Sequence, residues 1–388
     1  MRTRTLVNVA ALSAVGALAL SACSNSTTGG GLSSGSASGG GGSTYTVAFE
    51  GPLSGDNAQL GINEVNAVEL AIDQANAKKD LGFTLKLLKA DDGGDPSKAP
   101  AAAAQVLQDA TVMGVVGPSF SGASKAVGNI YGGAGLTIVN PSASNGTLQT
   151  LGFKTWHRVN PNDYAEGPAV ADWMAKKFKK VFVVNDLSDY GAGVAGAVEK
   201  ELKAKGVTVQ TAGVDAKTTD YGAISQTVKQ SGADAMFYGG YDAQGALFAK
   251  ALTAVGYPGA RVAGNGVKSS VFTTGAGAAG NGWFFSCGCQ DATVAPSAKD
   301  FAAAYTAKFN TPPSTYSPEA YDAANIVIAA IKAAKAAGSV TRASVNDQVN
   351  KTDYAGITAQ IKFAPDGDLP PGSGTVNLYT QKDGKIIS

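Results

Sequence analysis

The chain has 388 residues, with 31 Lys and Arg against 30 Asp and Glu, one His and three Cys. Such a neutral balance argues against a nucleic-acid binder, which needs a basic surface to neutralise phosphates. One His and three Cys exclude a His-rich metal centre, a four-Cys zinc site and a disulfide-dense scaffold, and they confine any Ser-His-Asp or Cys-His chemistry to His157. The length suits two or three domains with sizeable cores. At the start, Arg2 and Arg4 precede the uncharged apolar stretch 6–20. The stretch is too short to span a bilayer and small residues follow it, so it reads as a secretory signal peptide.

The end of that stretch, Leu20-Ser21-Ala22-Cys23, resembles the lipobox of bacterial lipoproteins. The resemblance implies loss of residues 1–22 and a diacylglycerol on the sulfur of Cys23, which would hold the protein on the outer face of the cell membrane. Residues 24–43 carry no charge, and fifteen of the twenty are Gly or Ser. They read as a flexible tether with an end-to-end distance of roughly 25 Å. No later run is long and apolar enough to span a bilayer.

From residue 45 the pattern alternates. Strands are predicted over 45–49, 84–88, 112–116 and 137–139, with helices over 64–79 and 99–108 between the first three. The first helix has an apolar stripe at Val65, Val68, Ala71, Ile72 and Ala75. After Asn160 the alternation restarts: helix 167–178, strand 181–185, helix 193–205, strand 207–212, helix 221–230, strand 235–238 and helix 243–256. Helices over 301–309 and 321–337 follow. Strand–helix–strand units with short links predict parallel sheets covered on both faces. Two such runs predict two doubly wound lobes, with a ligand cleft where the carboxyl ends of their strands face each other.

Nine segments carry a family resemblance: VAFEGPLSGDNAQLG (47–61), DDGGDP (91–96), VVGPSFSGAS (115–124), NPSAS (140–144), NDYAEGP (162–168), DYGAG (189–193), DYGAI (220–224), YGGYDAQG (238–245) and AYDAA (320–324). Each is weak alone, but in this order they resemble the extracytoplasmic solute-binding proteins of branched-chain amino-acid ABC transporters. The resemblance implies an α/β chain with the type I periplasmic binding-protein fold, two doubly wound parallel-sheet lobes joined by a three-strand hinge. Lobe one would be 44–162 plus 290–360 and lobe two 163–287 plus 361–388, with crossings near Asn162, Cys287 and Ile361. It also implies a small-molecule solute, ABC permease and ATPase partners, a monomer, and no cofactor or metal.

The same resemblance supplies candidate site residues. Ser121 and the group Ser142, Ala143 and Ser144 would hold a ligand carboxylate through hydroxyls and backbone N–H groups, as loops at helix starts can without any cation. Ser121 and Ser144 also suit helix N-caps. Tyr190 and Tyr241 would close over the ligand from lobe two, and Asp163 would sit near an ammonium group. Two positions depart from the amino-acid binders: Asn265 stands where they carry a Glu for the ammonium, and Leu60 where they carry an aromatic. Asn does not neutralise an ammonium, and burying one unpaired costs several kcal/mol. So either Asp163 or Asp242 takes over, or the solute is an amide, a carboxylate or another group without an ammonium.

Other features read as decoys. Gly191-x-Gly193-x-x-Gly196 matches a dinucleotide fingerprint, but its first Gly comes about six residues after the strand end, where a true fingerprint turns at once. The second match, from Gly275 to Gly280, precedes a strand-like segment and not a helix. His157 has no Ser or Asp motif beside it and reads as a surface residue. Cys287 and Cys289 are predicted to form a local disulfide in an oxidising compartment. The sequence offers no nucleophile with a base, so it reads as a non-enzyme. The alternatives are a surface sensor using the same cleft, or a hydrolase of small amides.

Overall fold

The structure is a computed structural model that describes residues 42–387. The signal segment, Cys23 and most of the tether lie outside the described residues.

The first alternation runs β1 (Thr44–Gly51), α1 (Ala58–Ala77), β2 (Thr84–Asp91), α2 (Ala99–Gln108), β3 (Val112–Val116), α3 (Ser121–Gly133), β4 (Thr137–Asn140) and β5 (Trp156–Arg158). These five strands form one parallel sheet in the order β2-β1-β3-β4-β5. β3 and β4 are buried at every residue, as expected where helices cover both faces of a parallel sheet.

The second alternation is α4 (Asp163–Ala175), β6 (Lys180–Asn185), α5 (Asp189–Ala204), β7 (Thr208–Gly213), α6 (Gly222–Gln230), β8 (Ala235–Gly239), α7 (Asp242–Ala254), β9 (Ala260–Ala263), α8 (Ser270–Ala276) and β10 (Trp283–Cys287). The chain then returns to the first lobe as α9 (Lys299–Phe309), α10 (Ser317–Ala336), α11 (Arg342–Val349) and the small hairpin β11 (Asp353–Ala355) and β12 (Gln360–Lys362). It finishes as β13 (Asn377–Lys382) and β14 (Lys385–Ile387), which join the second sheet antiparallel. That sheet has the order β14-β13-β10-β9-β8-β6-β7.

The helix starts differ from the sequence reading for a local reason. The N-cap of α4 is Asn162, whose side chain accepts from Tyr164 N, so the helix begins four residues before Gly167 and places Asp163 in its first turn. The N-cap of α5 is Ser188, so Gly191 and Gly193 lie inside the helix. Space explains both glycines: a Cβ at Gly191 would meet Asp186 and the Gly239 carbonyl, and one at Gly193 would lie 2.7 Å from Asn145 Nδ2 and 2.8 Å from Asp163 Oδ2. They permit packing and form no phosphate loop.

Val47, Phe49, Val68 and Ile72 pack with Ala320, Val327, Ile331 and Val345 in one core, while Val184, Met236, Phe248 and Phe285 belong to a second. The chain passes between the sheets after β5, after β10 and before β13. Ile361, where the third crossing was expected, is buried in the first core and pairs with Tyr354. The segment beyond it stays on β5, where Arg158 N donates to Gly367 O at 2.9 Å, and the chain enters the second sheet only at Asn377. His157 is not a surface residue. It is buried on β5, with Nε2 2.8 Å from Asn350 Oδ1 and Nδ1 3.1 Å from the Ile138 carbonyl, and burial lowers its pKa. Cys287 and Cys289 form a disulfide, with Cα atoms 5.0 Å apart, where the chain leaves β10.

Candidate functional site

The strand order reverses beside β1 and β3 in the first sheet and beside β6 and β8 in the second. Ligands of doubly wound sheets bind outside the carboxyl ends of strands at such points. Here a narrow cavity lies between the two lobes. It is lined by Leu60, Glu64, Ser119, Phe120, Ser121, Ser142 and Ala143 from the first alternation, Tyr190, Tyr241, Asn265 and Gly266 from the second, and Tyr316.

On the first-lobe side, Leu60 and Glu64 lie one turn apart on the buried face of α1. The loop from β3 into α3 brings Ser119 Oγ to donate to Glu64 Oε2 at 2.7 Å. Ser142 Oγ donates to the Ser119 carbonyl at 2.8 Å, so the loops after β3 and β4 hold each other. Asn140 locks this pair further: its Nδ2 donates to the Pro118 carbonyl and to Ser124 Oγ, and its Oδ1 accepts from Ser142 N and Ala143 N. The two amides expected to face a carboxylate are therefore already taken. The donors left for an anion are the first-turn amides of α3, since Ser124 N is the first to bond back, to Phe120 O, and the hydroxyl of Ser121, whose oxygen accepts from Asn145 N. Phe120, and not Ser121, occupies the N-cap of α3, and Ser144 lies outside any helix.

On the second-lobe side, Tyr241 stands at the start of α7 and stacks on Phe120 across the cleft, with ring centroids 4.2 Å apart. Tyr190 lies 5.1 Å from Tyr241, and its hydroxyl oxygen accepts from Gly266 N at 2.8 Å. Asn265 donates from Nδ2 to Glu166 Oε2 at 2.7 Å, and Glu166 Oε1 accepts from Ser286 Oγ at 2.6 Å. The lobes also meet at the rim: Lys125 pairs with Asp189 at 2.7 Å, and Asn57 Nδ2 donates to Gln244 Oε1 at 3.3 Å.

Seven of the nine residues expected to contact a ligand line this cavity. Ser144 and Asp163 do not: they are buried behind it, with the Ser144 hydroxyl beside the Asp163 carboxyl. Asp242 is also set back, held by Ser269 Oγ at 2.6 Å. Neither Asp fronts the cavity in place of the missing Glu. The carboxyl that does is Glu64, which sequence reasoning missed, together with Ser119, Tyr316 and the supporting Glu166. A signal for Glu64 was present, because it interrupts the buried stripe of α1 four residues after Leu60.

Among the described residues no Lys or Arg lines the cavity. Burial pushes Glu64 up to about 8 against the pull of the Ser119 and Ser142 hydroxyls. Burial also raises Glu166 to about 7, opposed by the hydroxyl of Ser286, and raises Asp163 to about 7 with help from the charge of Glu166. Among the described residues no cluster of His, Cys, Asp or Glu has the makings of a metal site, and no helix is long and apolar enough to cross a membrane.

The family model for periplasmic binding proteins matches residues 44–384. The chain belongs to this family. A Leu/Ile/Val-binding protein of Rhizobium johnstonii is 30% identical over 348 residues, covering 88% of this chain and 93% of its own. A leucine-, isoleucine-, valine-, threonine- and alanine-binding protein of Pseudomonas aeruginosa is 27% identical and covers 84% and 87%. Among solved structures, the branched-chain amino acid transporter substrate-binding protein of Streptococcus pneumoniae in complex with isoleucine superposes with a TM-score of 0.81 at 27% identity, covering 89% of this chain and 98% of that one. This periplasmic binding protein therefore has the type I fold that the sequence motifs implied.

Proposed function

We propose that this protein is the capture subunit of an ABC importer, tethered by a lipid on Cys23 to the outer face of the membrane. Its lobes close on a small solute and present the closed form to a permease. The observation that carries this reading is the cavity itself: it lies between the lobes, both lobes line it, and the aromatic pair Phe120–Tyr241 and the Lys125–Asp189 ion pair bridge its rim. A hinge of three crossings permits such opening and closing, and a solute that contacts both lobes selects the closed state by differential affinity.

The relatives support a solute of branched-chain amino-acid size, with a short apolar part against Leu60 and Phe120. One pole would lie at Ser121 and the first turn of α3, the other at Tyr190 and Asn265. The test is a thermal-shift screen of branched amino acids and their keto acids, hydroxy acids and amides, confirmed by calorimetry. A ligand at 100 times its dissociation constant stabilises by about 2.7 kcal/mol. A hit that also slows lobe opening supports capture, and no hit across the panel at millimolar concentration counts against it. The anchor has its own test. Cys23→Ser is expected to move the protein from the membrane fraction to the medium, and persistent membrane association would reject the lipid.

A further inference from the structure

We infer that the second-lobe wall of the cavity recognises a primary carboxamide, through Tyr190 as donor and Asn265 as acceptor. This rests on the capture reading above and narrows its solute.

The polar atoms of this wall have already spent part of their bonding capacity. Glu166 accepts on both oxygens, from Ser286 Oγ at 2.6 Å and from Asn265 Nδ2 at 2.7 Å. While Glu166 is ionised, rotating the Asn265 amide by half a turn would set its carbonyl against the Glu166 carboxylate, acceptor facing acceptor. Glu166 therefore fixes the amide nitrogen behind the wall and turns Asn265 Oδ1 toward the cavity. The Tyr190 hydroxyl already accepts from Gly266 N at 2.8 Å, so its own hydrogen remains to be donated. The side chain is held closely: a Cβ on Gly264 would lie 2.7 Å from its hydroxyl oxygen and one on Gly266 2.7 Å from its ring. The wall thus offers one fixed acceptor beside one fixed donor.

A primary carboxamide answers both, with its N–H on Asn265 Oδ1 and its carbonyl oxygen on the Tyr190 hydroxyl. An ammonium has no acceptor for Tyr190, and a carboxylate has no donor for Asn265. Buried polar groups left unpaired in this way lose affinity, and sites built on such pairs discriminate strongly. The charge of the cavity agrees. Glu64, pushed up to about 8 by burial, holds its proton at neutral pH, and among the described residues no cation lines the wall.

The test uses calorimetry on the full-length protein with three probes that share an isobutyl group: isovaleramide, isovalerate and L-leucine. Isovaleramide is expected to bind at least tenfold more tightly than the other two. Tyr190→Phe and Asn265→Ala should each cost isovaleramide tenfold or more, and Asn265→Asp, which keeps an acceptor and adds a negative charge, should gain affinity for L-leucine. The order of the three probes on the unaltered protein decides the matter without any variant. L-leucine or isovalerate binding as tightly as isovaleramide overturns the inference and leaves capture standing. If none of the three binds, the inference falls, and the wider panel above decides the capture reading separately.

Discussion

At the scale of single residues, the cavity wall is decided by which polar atoms are already bonded. Ser121 keeps a free hydroxyl hydrogen because its oxygen accepts from Asn145 N, and Tyr241 supplies area by stacking on Phe120. Ser121→Ala and Tyr241→Ala should therefore each weaken solute binding at least tenfold in calorimetry while circular dichroism stays unchanged. Affinity within twofold of the unaltered protein for both would remove these residues from the site. The family motifs made Ser121, Ser142, Tyr190, Tyr241 and Asn265 legible because each sits just past a strand end. Asp163 and Ser144 were legible as polar residues of the right loops, but their distance from the cavity depends on packing around Gly193, which no local pattern reports. Glu166 was equally hidden, since its importance arises only where α4 meets Asn265 and Ser286, about a hundred residues away in sequence.

Among elements, two contacts control whether the cleft forms and closes. The first is α5 against the loop after β4, where Gly193 leaves room for Asn145 and Asp163. The added methyl of Gly193→Ala would meet Asp163 of the same lobe whether the lobes are open or closed, and Asn145 of the other lobe only on closure. We expect at least tenfold weaker solute binding together with a lowered unfolding midpoint in the absence of solute; full affinity would show that closure does not bring these elements together. The second is Arg158 at the end of β5, fully buried, which donates through Nε to Asp368 Oδ1 at 2.9 Å and through Nη1 to the carbonyls of Ala143 and Asn145. It ties the ligand loop to the segment beyond β12. Removing one member of a buried pair typically costs about 3–5 kcal/mol, so Arg158→Met should lower stability to urea by that order, and Arg158→Met with Asp368→Leu should recover part of it. Equal losses in the single and double variants would mean that the pair itself contributes little. Strands and helices were readable from periodicity because parallel strands covered on both faces are continuous apolar runs. The late third crossing was not, because Gly367 bonds to Arg158 through its backbone, which leaves no trace in side-chain pattern.

Over the whole molecule, the burial of carboxyl groups on folding stores protons. Glu64 and Glu319 are each raised to about 8 by burial, and Asp163 and Glu166 to about 7. An unfolded carboxyl titrates near 4. Between that value and the raised one the folded state binds more protons, so the stability held at low pH is lost as pH rises through about 7 to 8. His157 works in the opposite sense, because its buried neutral form must charge as pH falls, but that acts at and below its ordinary value near 6.5. The informative window is thus pH 7 to 9, where unfolded carboxyls and His157 stay unprotonated. Lys268, also buried, has a lowered pKa and opposes the trend if it titrates there. Glu64 can be isolated by comparing the unaltered protein with Glu64→Gln in urea. Stability of the former should fall more steeply across this window, by up to about 1.4 kcal/mol per pH unit for the one proton. Parallel lines would place the Glu64 carboxyl in its ordinary range and make the cavity anionic at neutral pH, a wall suited to an ammonium. The same titration that measures stability therefore also reports the charge that the solute meets.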